Sequence, residues 1–210
     1  MEIFIIKLIP FLCLIIAITV HEFFHALAAD KLGDPTPRSF GRLTLNPIAH
    51  ADPLGTIILP LMSSLTGIPT IGWAKPVPID PFNFRHPKRD EIIVSLAGPL
   101  SNLSLAVVSS LLIRLLTLPP LLGNIFFYLI LINVSLCIFN LLPIPPLDGS
   151  KVFLNLLSPQ SYAKWSQAFD HYGIFLLLIF VFLPIGNTRL ISFIMGPIVN
   201  FIFRLLLPIG

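Results

Sequence analysis

Apolar residues in this chain gather into long runs instead of alternating with polar ones. A helix that crosses a bilayer core needs about 20 of them. Leu8–Ala29 reaches that length with only His21, Glu22 and His25 as ionisable intrusions. Ile92–Thr117 and Leu121–Leu142 reach it too, and the Leu118-Pro119-Pro120 turn between them makes the two antiparallel neighbours. Leu54–Trp73 is long enough but broken by Gly55, Pro60, the Ser63-Ser64 pair, Gly67, Pro69 and Gly72. The tail holds two weaker runs, Gly173–Ile185 and Leu190–Leu207, separated by Gly186-Asn187. The first of them is short for a full span. The pattern predicts an all-α polytopic membrane protein, a bundle of about five to six transmembrane helices.

The polar stretches Asp30–Pro53, Ala74–Glu91 and Pro143–Tyr172 are too short to build a soluble domain with its own core. Ser39–Leu45 carries Phe, Leu and Thr near a glycine, a weak strand signal that leaves room for a small β-hairpin near the active site. Trp73 followed by Lys75-Pro76-Val77-Pro78 reads as an interfacial aromatic leading into extended, polyproline-like chain. Residues 1–160 are expected to form a membrane-embedded core. Residues 161–210 would add accessory transmembrane helices to the same domain.

Composition narrows the function classes. Hydrophobic residues are 55% and charged residues 11% of the 210, with a mean hydropathy of +0.91. A soluble domain carries about 25% charge, so a cytosolic enzyme and a disordered tail are excluded. The net charge of +3 is scattered, not gathered into a phosphate-binding patch, and nucleic acid is excluded as a partner. The 21 prolines imply helices that are interrupted or closely bounded. Cys13 and Cys137 sit in apolar runs and read as small buried hydrophobes. The first apolar run is too long for a cleaved signal and lacks a small-residue cleavage site, so it is expected to stay as an anchor.

Chemistry concentrates at Val20-His21-Glu22-Phe23-Phe24-His25. Positions four apart share a helix face, so His21 and His25 present two imidazoles to one point. Glu22 projects beside that point, where a carboxylate can take a proton from a water activated by a metal and deliver it to a leaving amine. Three ionisable groups inside a span are expensive unless paired or functional. A catalytic zinc site needs a third protein ligand. His50, His86, His171, Asp148 and the other acids are candidates. Asp148 stands out because the prolines and glycine of Asn140-Leu-Leu-Pro143-Ile-Pro-Pro-Leu147-Asp148-Gly149 cannot stay helical directly after a span. Such backbone is tolerated at membrane depth only when buried in protein or lining a wet cavity.

These residues resemble the site-2 protease family of intramembrane zinc metalloproteases. HEFFH (21–25), AGPLSN (97–102) and NLLPIPPLDG (140–149) match its motifs in order, and the resemblance covers roughly residues 8–155. It implies one Zn2+ per chain on His21, His25 and Asp148, with Glu22 as the catalytic carboxylate. GRLTLNPIAHADPLGT and GWAKPVP look like the short branch that lacks a PDZ domain, so substrate gating falls to another membrane protein or is missing. Asn102 reads first as an interhelical hydrogen bonder, with Gly98 and Ser101 allowing close approach. Asn140, eight residues before Asp148, is expected to help hold the oxyanion, a role the resemblance supports. His50 reads as a loop histidine before a fourth ligand or relay, and His86 as solvated.

The function expected is hydrolysis of peptide bonds in or near the transmembrane segments of single-span or short membrane-protein substrates. The Ser39–Leu45 strand would pair with the unwound substrate. The rival is a catalytically silent zinc-binding scaffold or a transporter, which has no use for Glu22. A histidine-box desaturase would need more than the five histidines present. One zinc can bind His21, His25 and Asp148 only if Leu8–Ala29 and Leu121–Leu142 run parallel, so Leu54–Trp73 is expected to be re-entrant. With the N-terminus outside, ten basic residues then lie inside, Arg204 among them. Lys7, Arg114 and Arg189 lie outside, as the positive-inside rule prefers. A prokaryotic inner membrane with the active site toward the cytoplasm fits that balance.

Overall fold

Prolines and capping side chains set where the helices begin. The computed structural model describes residues 2–66 and 72–207. Pro47, Pro53, Pro81, Pro87, Pro120 and Pro159 each open a helix or helical turn, where a missing N–H is harmless and the fixed φ is already helical. Asn46, Asp52, Asp80 and Ser158 precede four of them and accept hydrogen bonds from first-turn N–H groups. Proline therefore bounds helices here more than it breaks them, although Pro10, Pro99 and Pro197 lie inside three.

In order, the elements are α1 (Glu2–Lys31), α2 (Thr36–Ser39), α3 (Pro47–His50), a π-helical turn (Pro53–Ile58) that continues into α4 (Leu59–Thr66), and a 3-10 turn (Pro81–Asn83). Then follow α5 (Pro87–Leu115), α6 (Pro120–Asn140), α7 (Asp148–Leu156), α8 (Pro159–Phe182) and α9 (Leu190–Leu206). A short antiparallel hairpin, β1 (Pro184–Ile185) and β2 (Thr188–Arg189), joins α8 to α9 and turns at Gly186 with φ +58°. Among the described residues four helices are long and apolar enough to cross a membrane: Leu8–Lys31 of α1, then α5, α6 and α8. The chain is an all-α membrane protein.

Three helices make the frame. Ala17 of α1 meets Asn102 of α5, and His25 meets Val94, so α5 runs antiparallel to α1. Ile9 and Cys13 cluster with Leu129 and Ile125 in the first half of α6, while His21 and His25 meet Asp148 beyond its end. α1 and α6 are therefore parallel, as a shared metal requires. α9 runs back along α6: Met195 packs on Leu147, Val199 on Val134 and Ile138, and Phe203 stacks edge-on against Phe127. Its last carbonyl, on Leu206, accepts from Ser110 and Arg114 at the far end of α5.

The broken run Leu54–Trp73 returns to where it starts. The Trp73 N–H donates to the Gly55 carbonyl at 3.1 Å, and the Thr56 hydroxyl donates to the Trp73 carbonyl at 2.7 Å. Glycine is required on both sides of this closure. A Cβ on Gly55 would lie 2.4 Å from the Trp73 ring, and one on Gly72 would lie 2.5 Å from the Gly55 carbonyl oxygen. Gly67 and Pro69, two of the predicted breakers, lie outside the described residues.

Ser39–Leu45 is not a strand. Ser39 ends α2, Gly41 turns the chain at φ +67°, and the Arg42 N–H returns to the Pro37 carbonyl at 2.8 Å. The Arg42 guanidinium is buried and donates to the Ala49 carbonyl. The Gly41 turn and that buried cation override the β preference of Phe40, Leu43 and Thr44. The hairpin among the described residues lies at 184–189 instead. The first tail helix also begins earlier than Gly173, at Pro159 behind the Ser158 cap.

Candidate active site

The helix geometry of α1 puts His21 and His25 one turn apart on the face packed against α5. Their Nε2 atoms lie 3.0 Å from each other, and each lies 3.2 Å from Asp148 Oδ2. Ligands about 2.0–2.1 Å from a tetrahedral zinc are separated by about 3.3 Å. The three donors match that spacing, and two imidazoles with one carboxylate are a donor set zinc accepts with a fourth position open. All three are at least largely buried.

Each imidazole is oriented from behind. The His21 Nδ1–H donates to Asn102 Oδ1 at 2.5 Å, and the His25 Nδ1–H donates to the Val94 carbonyl at 2.7 Å. Both Nε2 lone pairs are thereby left for the metal, the usual arrangement for a ligating histidine. Asn102 is itself held: its amide N–H groups donate to the Ala17 carbonyl at 3.1 Å and to Asn133 Oδ1 at 2.7 Å. Asn133 in turn donates to the Leu129 carbonyl at 2.8 Å. Asn102 is thus an interhelical hydrogen bonder and a support for His21 at once. Asn133 escaped sequence reading, although an amide in the middle of an apolar span is a visible signal.

Two glycines make room. A Cβ on Gly98 would lie 2.3 Å from His25 Nε2 and 2.7 Å from His21 Nε2. Only a glycine on α5 lets both imidazoles converge there. A Cβ on Gly149 would lie 2.2 Å from the Leu141 carbonyl oxygen, so the loop after α6 closes back and delivers Asp148 only with glycine in that place. Asp148 lies beyond the span.

Glu22 is half-buried beside the three donors and is not one of them. Its Oε2 accepts from the Val77 N–H at 3.2 Å. The extended stretch 72–80 crosses the site there. It is tied down by Lys75 N–H to the His50 carbonyl, and by Asp80 N–H to Asp34 Oδ2 at 2.8 Å. A cavity of about 140 Å3 opens between this strap, α1 and α7, lined by Glu22, the three donors, Asn140 and Lys151 among others. Asn140 reaches the cavity wall while its amide donates to the Leu136 carbonyl at 3.0 Å.

The remaining histidines are elsewhere. His50 is buried outside the donor group, its Nε2–H on the Thr44 carbonyl at 2.8 Å. His86 is exposed before α5, where its backbone N–H donates to Asp90. His171 is exposed on α8 beside Tyr172.

The chain is 37% identical over 206 residues to a Bacillus subtilis (strain 168) protein provisionally named zinc metalloprotease YwhC. The match covers 93% of this chain and 88% of that one. The model of peptidase family M50 matches residues 117–184, which include Asn140 and Asp148. The chain belongs to that family. Shorter matches are to proteins provisionally named zinc metalloprotease Rip2. That of Mycolicibacterium smegmatis is 38% identical over 95 residues, 45% of this chain and 35% of its own length. That of Mycobacterium tuberculosis strain H37Rv is 35% identical over 103 residues, 49% of this chain and 38% of its own. No solved structure gives a significant match. Membership in this site-2 protease family supports a zinc metallopeptidase embedded in a membrane.

Proposed function

We propose that the chain hydrolyses peptide bonds in or near the transmembrane segments of other membrane proteins, with one zinc per chain on His21, His25 and Asp148. The observation that carries this is the convergence of three donors at 3.0–3.2 Å with an uncoordinated carboxylate, Glu22, in the same cavity. Zinc bound there supplies a Lewis acid for the scissile carbonyl and lowers the pKa of a water. Glu22 takes the proton of that water and returns it to the leaving amine. Asn140, on the cavity wall, offers its amide to the developing oxyanion once it leaves the Leu136 carbonyl. In a silent scaffold or transporter Glu22 would serve only to hold the Val77 N–H, a role that leaves peptide cleavage unexplained.

A helical substrate hides its amides in intrahelical bonds and must be extended before attack. The extended backbone at the site is the 72–80 strap, not Ser39–Leu45, and it supplies the edge for pairing. Val77 carries the single N–H between Pro76 and Pro78, and it pairs with substrate only once it leaves Glu22 Oε2.

Four crossings account for the bundle: α1, α5, α6 and α9. The run 54–73 is re-entrant, supported by the Trp73–Gly55 closure. α8 stays on the zinc side despite its hydropathy. It starts next to α7, and its last turns, Leu177, Phe180 and Val181, pack on Leu147 and Met195 at that same end. α9 leaves from there and reaches the opposite end at Leu206. Its 17 residues give about 26 Å of helix, near the thickness of a bilayer core. Relative to the sequence expectation, Arg189 moves inside and Arg204 outside, and the basic balance stays ten to three. The site then faces the cytoplasm of a prokaryotic inner membrane, where substrates are single-span or short membrane proteins. With no polar stretch large enough for a PDZ module, a separate membrane protein supplies gating.

The test is co-expression with a library of single-span reporters. Wild type should cut a subset that Glu22→Gln leaves whole. Equal cutting by both would remove Glu22 from the mechanism and, with it, this function.

A further inference from the structure

Lys151 brings a positive charge to the rim of the catalytic cavity, where its side chain is exposed and Glu91, held by Asn155 one turn along α7, is the nearby acid outside the cavity. It lines the cavity one helical turn after Asp148, so both side chains rise from the same face of α7. Among the described residues no carboxylate lies within 4.0 Å of its ammonium and no hydrogen bond from it is found. The two acids of the cavity have other places: Asp148 is one of the three converging donors, and Glu22 accepts from the Val77 N–H. Its place is also unfavourable for the helix. Lys151 is the fourth residue of α7, near the positive end of the macrodipole, where an acid and not a base stabilises a first turn.

The charge sum of the site points the same way. Zinc with neutral imidazoles would be balanced by Asp148 and Glu22, so Lys151 would add a positive charge at the rim of the cavity. Its other walls near the donors are apolar or neutral, including Val77, Ile79, Val94 and Pro146. An anionic group reaching the α7 side of the cavity would meet that exposed ammonium.

We infer that Lys151 is a specificity-determining residue that binds a carboxylate of the substrate close to the scissile bond. The carboxylate comes from an Asp or Glu side chain beside the cleavage point, or from the chain end of a substrate whose tail terminates there. The inference rests on the proteolytic reading of the cavity, and it gives that reading a substrate class.

Binding separates the two. Glu22→Gln protein, purified with its zinc, is titrated with synthetic single-span peptides. These carry one Glu, Gln or Lys walked through the zinc-side end of the span, with the terminal carboxylate free or amidated. At one position or at the free chain end, the carboxylate peptide should bind about tenfold to a hundredfold more tightly than its neutral counterpart, the worth of one charge-assisted hydrogen bond. Adding Lys151→Met should abolish that advantage, and Lys151→Glu should transfer it to the Lys peptide. The walked Glu and the amidated end tell the two carboxylate sources apart. Equal binding of Glu, Gln and both chain ends would overturn the proposal. So would a Lys151→Glu loss that is the same for every peptide, as an oxyanion or folding role predicts. If the preference holds but wild type, which keeps Glu22, cuts none of the bound peptides, carboxylate recognition stands and the proteolytic reading falls.

Discussion

At the scale of single residues, the site depends on groups that never touch the metal. Gly98 marks the tightest point, since any Cβ there enters both imidazoles. Gly98→Ala should leave α5 helical yet abolish zinc binding, read as zinc per chain in purified protein. Asn133→Leu tests the amide relay. It leaves the Asn102 N–H buried without its 2.7 Å partner, which costs about 1–3 kcal/mol. Loss of an outer support lowers metal affinity about tenfold to a hundredfold, measurable by chelator competition, and Asn133→Gln should recover part of it only if the relay acts on His21. The metal pair and its carboxylate were legible because HEFFH has helical spacing inside a span. Asp148 was legible because prolines and a glycine strip the helix away just before it. Asn133 was not singled out, because an isolated amide names no partner until a second helix is placed opposite it. Val77 gave no signal at all: its role is a backbone N–H, which any residue but proline carries.

Among the elements, the strap 72–80 crosses the site, and its anchors lie outside the helices long enough to span a membrane. Asp34 is fully buried and accepts from the N–H groups of Thr36 and Asp80 and from the Asn83 amide. Burial raises its carboxyl, but these donors outweigh burial and hold the folded value below the unfolded one of about 3.9. A lowered folded pKa contributes stability above the unfolded value and loses it as pH falls through the folded one. Protection of the 72–83 amides, taken relative to their intrinsic exchange rate at each pH, should therefore fall below about pH 4, and Asp34→Ala should lower it at neutral pH. Unchanged exchange in that variant would mean the strap is held elsewhere. Ser39–Leu45 shows where local propensity fails. Phe40, Leu43 and Thr44 favour a strand, yet Gly41 turns the chain and Arg42 needs two backbone carbonyls, those of Ala49 and Lys75. No neighbouring strand competes for that backbone.

For the whole molecule, hydropathy and packing rank the tail helices differently. α8 has the length and composition of a span, whereas the shorter α9 makes the contacts at both ends of the bundle. A run of apolar residues records what a helix can face, not where its ends are tied. Single cysteines in a background lacking Cys13 and Cys137 decide the topology. With an impermeant thiol reagent on intact cells, positions 38, 85 and 189 should be protected and position 204 labelled. Labelling at 189 with protection at 204 would restore two crossings in the tail, and labelling of only one of 38 and 85 would make 54–73 a full span. The central claim, a zinc centre that hydrolyses membrane-embedded peptide, is tested most directly with purified protein in liposomes. Zinc per chain and cleavage of a co-reconstituted single-span substrate are measured on the same samples of wild type, Glu22→Gln and Asp148→Ala. Wild type should hold about one zinc and cut. Glu22→Gln should hold as much and cut at least about a hundredfold more slowly, and Asp148→Ala should lose both. Full zinc in Asp148→Ala, or undiminished cleavage by Glu22→Gln, would contradict it.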